Sequence, residues 1–232
     1  MSTLSHSGDH DGGLERIYVW ELPVRLSHWL VALSIAVLSA TGYYIGHPFI
    51  SVPGPAGDHF VMGTVRAVHL YAASVFVTAI IVRAYWWFAG NAYARWSEFI
   101  PVSSRRFRSL WDAFKFYSFI SREPDEYPGH NALAAGSYAM IFAVYGLLIV
   151  TGLVLHASEV PPSSPFHVFS ALAPWFFGLP MTRLIHHVAM WVVLIFVVVH
   201  LHFVLLASLI ERVGTFGSIF SGYKFFPRKR AR

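Results

Sequence analysis

Four stretches of this 232-residue chain are apolar for close to 20 residues each. They run from about Trp29 to Ile45, extending back through Leu26, then from about Ala67 to Phe88, Leu133 to Leu155 and His186 to Ile210. About 20 apolar residues in a helix cross a hydrocarbon core roughly 30 Å thick. In lipid, a helix satisfies all of its own backbone groups. The expected fold is therefore an all-α integral membrane protein, a bundle of four transmembrane helices. Charge content agrees: 12% of residues are charged, against about 25% in soluble domains. The first 20 residues are polar and lack the apolar core of a cleaved signal peptide.

Lys and Arg residues orient the bundle. Arg16 and Arg25 precede the first span, and only Arg66 separates the first from the second. Arg95, Arg105, Arg106, Arg108, Lys115 and Arg122 lie between the second and third, and only Arg183 between the third and fourth. Arg212, Lys224, Arg228, Lys229, Arg230 and Arg232 follow the last span, while Arg83 sits inside the second near one end. The positive-inside rule places both termini and the middle loop in the cytoplasm, hence a multi-pass protein of a bacterial cytoplasmic (inner) membrane, N-in and C-in. The net charge of +5 is then topology and contact with anionic lipid. No basic face on a soluble module is visible, so nucleic-acid binding is not expected.

Residues 1–16 read as a disordered polar leader, 17–223 as the transmembrane domain and 224–232 as a basic cytoplasmic tail. Within the middle loop, residues 105–120 alternate Arg and Lys with Phe107, Leu110, Trp111, Phe114 and Phe116. That pattern predicts an interfacial helix on the inner leaflet, with a partner-docking helix as the alternative. The loops at 46–65 and 157–182 hold most of the prolines and several aromatics. They are candidates to cap the bundle or to receive an extracytoplasmic partner.

Cysteine is absent, which removes disulfides, Cys-ligated iron–sulfur clusters, thiol catalysis and covalent c-type haem. Thirteen histidines remain as the abundant metal-ligand type. An ionisable or ligating side chain inside a span is a functional candidate by default. His28, His69, His186 and His200 meet that test, with His187 and His202 as competitors. His186 and His200 are 14 residues apart, about 21 Å of helical rise, and at about 100° per residue they differ by only about 40° in direction. By the same angles His187 and His202 face elsewhere. His69 opens the second span at the outer side, the depth of His186, whereas His28 opens the first at the inner side, nearer His200. Two bis-histidine sites at two depths describe b-type haem held without covalent attachment: His69 with His186 outside, His28 with His200 inside. Zinc or a proton relay is the competing use, although no carboxylate lies within the spans.

An arginine stands three residues before a candidate ligand three times: Arg25 before His28, Arg66 before His69 and Arg183 before His186. Such an arginine shares the ligand's helix face and is placed to pair with a haem propionate, unless it merely ends the span at the interface. Thr41-Gly42 and Thr151-Gly152 echo one another on the first and third spans. Small residues there let helices or a flat macrocycle approach closely, or serve ordinary packing.

These residues resemble a known family. The run from Arg25 through His28 to Thr41-Gly42, the run from Arg183 through His186 to His200, and Gly129-His130-Asn131 before the third span resemble the b-type cytochrome subunits of membrane-bound nickel–iron hydrogenases. The likeness covers about Tyr18 to Tyr223. It implies a haem b subunit that anchors the hydrogenase large and small subunits, the small one in direct contact. Electrons would be received at the outer haem and passed to quinone, while hydrogen is oxidised on the partner subunits. His130 and Asn131 are the quinone candidates under this likeness, with Tyr127 and Tyr138 assisting; the simpler role for the pair is to cap the third span. The competing functions are a dihaem anchor of another enzyme, of formate dehydrogenase or thiosulfate reductase type, and a free-standing cytochrome b561-like quinone oxidoreductase. A haem-free transporter or structural anchor is the third, although the repeats and broken helices usual in transporters are not evident.

Overall fold

Each apolar stretch is a helix, and each helix outruns its apolar centre. The computed structural model describes residues 14–50, 60–96, 132–211 and 214–227. Along the chain these form strand β1 (Leu14–Tyr18) and helices α1 (Leu22–Gly46), α2 (Val61–Ala89) and α3 (Ala132–Ala157). A run of 3-10 turns (Pro165–Phe176), helix α4 (Leu179–Glu211), short α5 (Thr215–Ser221) and strand β2 (Tyr223–Pro227) complete it. The extra length lies at the starts. Helix α1 begins at Leu22 with Pro23 in its first turn, and α4 carries Pro180 as its second residue. A proline there gives up an N–H that has no partner in any helix and presets φ. The four long helices have 25, 29, 26 and 33 residues. At 1.5 Å per residue the shortest spans about 37 Å, more than the hydrocarbon core, so polar ends reach the headgroups.

All four are long and apolar enough to cross a membrane. Their outward faces carry Phe88, Val198 and Leu209, each about 70% exposed, as a lipid-facing surface requires. Helix α1 packs along α2, and α3 along α4, as two hairpins. The hairpins meet through side chains: Ile35 of α1, Phe76 of α2, Ile141 and Tyr145 of α3, and Val193 of α4 form one buried cluster. This cluster has a fixed relation to the histidines. Ile35 is seven residues beyond His28, Phe76 seven beyond His69, and Val193 seven from both His186 and His200. Seven residues are two turns, about 10 Å of rise. An apolar layer therefore separates two histidine levels.

One end of the bundle is tied by a collar built from both ends of the described chain. Strands β1 and β2 pair antiparallel, with Leu14 opposite Pro227 and Tyr18 opposite Tyr223. The amides of Val19 and Trp20 donate to the Gly222 carbonyl at 2.8 and 3.0 Å, and Trp20 Nε1 donates to Ser218 Oγ at 3.1 Å in the interior. Glu21, at the start of α1, accepts from Trp86 Nε1 at 2.9 Å and from the Asn91 amide at 2.8 Å, which fastens the end of α2. Gly222 is a required glycine: its φ is +88°, and a Cβ would stand 2.6 Å from the Tyr18 ring and 2.7 Å from the Trp20 carbonyl. Lys224 lies buried in this collar, its Nζ 5.9 Å from the Trp20 ring centroid.

Strand β1 takes in residues 14–16 of the expected leader and strand β2 residues 224–227 of the expected tail, each segment satisfying its backbone on the other. The expected interfacial helix at 105–120, together with Tyr127, His130 and Asn131, lies outside the described residues.

Candidate functional site

The two histidine levels are held differently. At the collar end, His28 sits in the second turn of α1 and faces His200 of α4. Their ring centroids are 6.4 Å apart and the rings are inclined by 49°. Two imidazoles on opposite sides of one metal ion, each bonded at about 2 Å, place their centroids roughly 6 Å apart. The separation therefore suits a shared ion. His28 Nδ1 is buried and has no hydrogen-bond partner, a state that costs about 1–3 kcal/mol in a sealed interior. Trp29 packs edge-on against His28 at 5.4 Å, and Phe196 stacks on His200 at 5.7 Å and 14°. Arg25, one turn before His28, donates from its guanidinium to the Phe220 carbonyl of the collar, and its Nε is buried without a partner.

At the far end, His69 of α2 and His186 of α4 lie deeper in their helices than the apolar stretches suggested. Helix α2 starts eight residues before His69 and α4 seven before His186. Each ring is held within its own hairpin. Thr41 Oγ1 of α1 lies 2.8 Å from His69 Nδ1, and Thr151 Oγ1 of α3 lies 2.8 Å from His186 Nδ1. Each threonine also donates to the carbonyl four residues back, Val37 or Leu147, at 2.7 Å. A hydroxyl has one proton. With that proton committed to the carbonyl, the oxygen accepts from Nδ1–H. Both rings are then the tautomer whose Nε2 lone pair is free for a metal.

The glycine after each threonine makes room for the ring. A Cβ at Gly42 would stand 3.3 Å from His69 Cε1 and 3.9 Å from Met190 Sδ. At Gly152 it would stand 3.4 Å from His186 Cε1. The Thr-Gly echo, read in the sequence as room for a helix or macrocycle or as ordinary packing, is thus a repeated support for two imidazoles.

His187 lies near this level as well. Although about 100° from His186, it lies within electrostatic reach of both His69 and His186. Its ring presses on Gly46, where any Cβ would overlap it. It also meets His47 edge-on at 6.4 Å, and its Nδ1 lies 3.1 Å from the Arg183 carbonyl, one turn earlier. Helix α1 reaches His187 because it runs to Gly46, a full turn past Thr41-Gly42.

The other candidates fall as follows. Arg66 pairs with Glu159 at 2.8 Å, both side chains half exposed, a partner the sequence reading did not single out. Arg183 is exposed. Tyr138 accepts from Trp87 Nε1 at 3.3 Å, and its ring lies 5.4 Å from the guanidinium of Arg83. Arg83, buried within α2, points both terminal nitrogens at the Ala94 carbonyl at 3.4 Å. A pair of histidines would suit a haem, whose iron would take only two ligands from protein. A tetrahedral zinc site needs more donors, and among the described residues no group of three or more His, Asp or Glu is placed to hold a metal ion.

Comparison with known proteins agrees with this geometry. Residues 19–222 match the model of the prokaryotic cytochrome b561 family. The chain is 35% identical over 232 residues to a probable Ni/Fe-hydrogenase B-type cytochrome subunit of Rhizobium leguminosarum bv. viciae, covering 97% of this chain and 96% of the relative. A protein of the same name from Azotobacter vinelandii is 34% identical, covering 92% and 90%. The probable Ni/Fe-hydrogenase 1 B-type cytochrome subunit of Escherichia coli (strain K12) is 33% identical, covering 89% and 90%. With a family match over most of its length and these relatives along nearly all of it, the chain belongs to the prokaryotic cytochrome b561 family, the b-type, haem-binding cytochromes of electron transport.

Proposed function

We propose that this chain is the membrane anchor and electron-transfer subunit of a periplasmic nickel–iron hydrogenase, and that it passes electrons through two haem b groups to quinone. The observation that carries this reading is the His28–His200 pair at 6.4 Å, with His69 and His186 at a second level across an apolar layer, in a chain whose relatives bear hydrogenase cytochrome names. Haem supplies one-electron chemistry when bound; the protein sets its position and potential.

His69 and His186 hold the far, periplasmic haem, and His28 and His200 the haem at the collar. Arg25 serves a propionate: the collar fixes one end of its guanidinium while Nε remains buried and unpaired. Arg66 and Arg183, one turn before their histidines, serve the other haem in the same way, Arg66 by exchanging its exposed bond to Glu159. The Lys and Arg of the sequence, concentrated in the middle loop and tail, support a reading in which the collar end and both termini face the cytoplasm of a bacterial inner membrane. The 3-10 run at the opposite end exposes Val168, Trp175 and, just beyond it, Phe177, at 68, 82 and 86%. This apolar surface is offered to the hydrogenase, its small subunit first.

His130 and Asn131 immediately precede α3, which starts at the collar end because its Tyr138 lies beside Arg83 near the end of α2. A histidine there can give a proton to a quinone and an amide can bond its carbonyl, with Tyr127 and Tyr138 assisting. The hydrogen-to-electron chemistry belongs to the partner subunits.

Purification from native membranes tests the assignment. Expected is co-purification with nickel-containing subunits and a b-type band in the reduced-minus-oxidised spectrum. A spectrum without that band overturns the haem reading. A different redox enzyme in the complex, of formate dehydrogenase or thiosulfate reductase type, overturns the hydrogenase reading alone. His130→Ala should slow hydrogen-driven quinone reduction while haem reduction by hydrogen stays intact; slowed haem reduction would refute the quinone role.

A further inference from the structure

The two Thr-Gly pairs do more at the far level than pack helices. A threonine in a membrane helix commonly bonds back to the carbonyl four residues earlier. Ser74, Thr78 and Thr182 do so here at 3.0, 2.8 and 2.9 Å and bond no imidazole. Thr41 and Thr151 make the same back-bond and in addition place Oγ1 2.8 Å from a ring nitrogen. The two sites agree at all three distances: 2.7 Å to the fourth carbonyl back, 3.3 Å to the third and 2.8 Å to Nδ1. They lie in different hairpins, on rings 28 and 35 residues away in sequence. In both, a glycine follows and leaves the ring 3.3–3.4 Å from where its Cβ would be. The collar-level counterpart differs, since His28 Nδ1 is buried with no partner among the described residues.

We propose that Thr41 and Thr151 are positioning residues that hold His69 and His186 in the Nδ1–H tautomer and set the far haem to a lower reduction potential than the collar haem. The inference rests on the reading that these histidines are haem ligands. A partner that accepts from the second ring nitrogen makes an imidazole a stronger donor to its metal. Each hydroxyl is itself polarised by donating to a carbonyl, which improves it as an acceptor. A stronger donor favours the ferric ion, the more highly charged state, and so lowers the potential. With no such acceptor on His28, the collar haem stays higher. The potential rises from the far level toward the collar, the direction in which electrons must travel to reach a collar-end acceptor.

The test is a redox titration of the full chain, in its complex, followed at the b-type absorbance bands of each haem. Thr41→Val and Thr151→Val keep shape and remove the acceptor; Thr41→Ser and Thr151→Ser keep it. In the double valine variant the far haem should be reduced about tenfold more at a fixed ambient potential, equivalent to 59 mV for a one-electron couple. The collar haem should not move, and the double serine variant should return to within about twofold of the parent. Loss of the far haem in the valine variant with retention in the serine variant is the same bond read as affinity, for which about 10–100-fold is expected. Unmoved potentials, an equal shift at both haems, or loss of haem from both variants overturns the proposal. Failure of the ligand reading shows separately, as full haem content in His69→Ala and His186→Ala.

Discussion

The two histidine levels of this bundle are built by opposite means. At the far level each imidazole is fixed inside its own hairpin by a neighbouring helix: Thr41 with Gly42 beside His69, Thr151 with Gly152 beside His186. At the collar level the rings of His28 and His200 come from the two different hairpins, and they are brought to 6.4 Å beside a construction outside the bundle. Strands β1 and β2, the Trp20–Ser218 bond and the Arg25–Phe220 contact tie the chain before His28 to the chain after His200. One level is held by side-chain hydrogen bonds between the two helices of each hairpin, the other by strand pairing and side-chain bonds between segments about 200 residues apart. Between them lies the Ile35, Phe76, Ile141, Tyr145 and Val193 layer, which belongs to neither.

That separation makes the largest effect a selective one. His186→Ala should remove the far haem and leave the collar haem, and His200→Ala should do the reverse, each variant keeping about half the parental haem. Haem per protein, measured after purification, checks it. If one substitution strips both haems, the levels are not independent; if neither loses haem, the pairing is wrong. His187→Ala sharpens the same point. His187 stands close to His69 and His186, but its Nδ1 faces the Arg183 carbonyl and its ring packs on Gly46. Full haem content is therefore expected, and loss of the far haem would transfer the ligand role from His186 to its neighbour.

The next effect falls on the collar. Gly222 adopts φ of +88° with no space for a side chain, so Gly222→Val imposes a strained backbone costing about 1–3 kcal/mol before the overlap with Tyr18 is counted. Its carbonyl is also the acceptor for Val19 and Trp20. The expected outcome is weakened retention of the collar haem on heating, with the far haem unchanged. Equal loss of both would show that the collar holds the whole bundle rather than one level.

How much of this was legible beforehand follows the same division. Four helices and the two levels at which the histidines lie were legible because each signal is local: an apolar run and a 14-residue spacing. The collar was not. Leu14–Tyr18 and Tyr223–Pro227 are five residues each, and neither signals a strand until the other lies beside it. The Thr-Gly pairs were visible as an echo, but a threonine in an apolar helix has an adequate bland role in its own back-bond. Only the position of the facing ring tells Thr41 from Thr78. The contacts of His187 with Gly46 and His47 were not legible, because an angle on one helix says nothing about how far its neighbour extends.

The smallest effect tests whether charge at the far end shapes the site or only decorates it. Arg66 and Glu159 join the start of α2 to the turn after α3, one residue from each hairpin, at 2.8 Å. Both are half exposed, and an exposed pair of this kind contributes about 0.2–1 kcal/mol, less at high salt. Glu159→Gln should accordingly change thermal stability little. If Arg66 also serves a haem propionate, however, removing its competitor frees the guanidinium, and the far haem should be retained slightly better. Arg66→Gln should then lower haem retention at the far level while Glu159→Gln does not. Equal, small losses from both would reduce the arginine to half of a surface ion pair, and the far level would rest on its threonines and glycines alone.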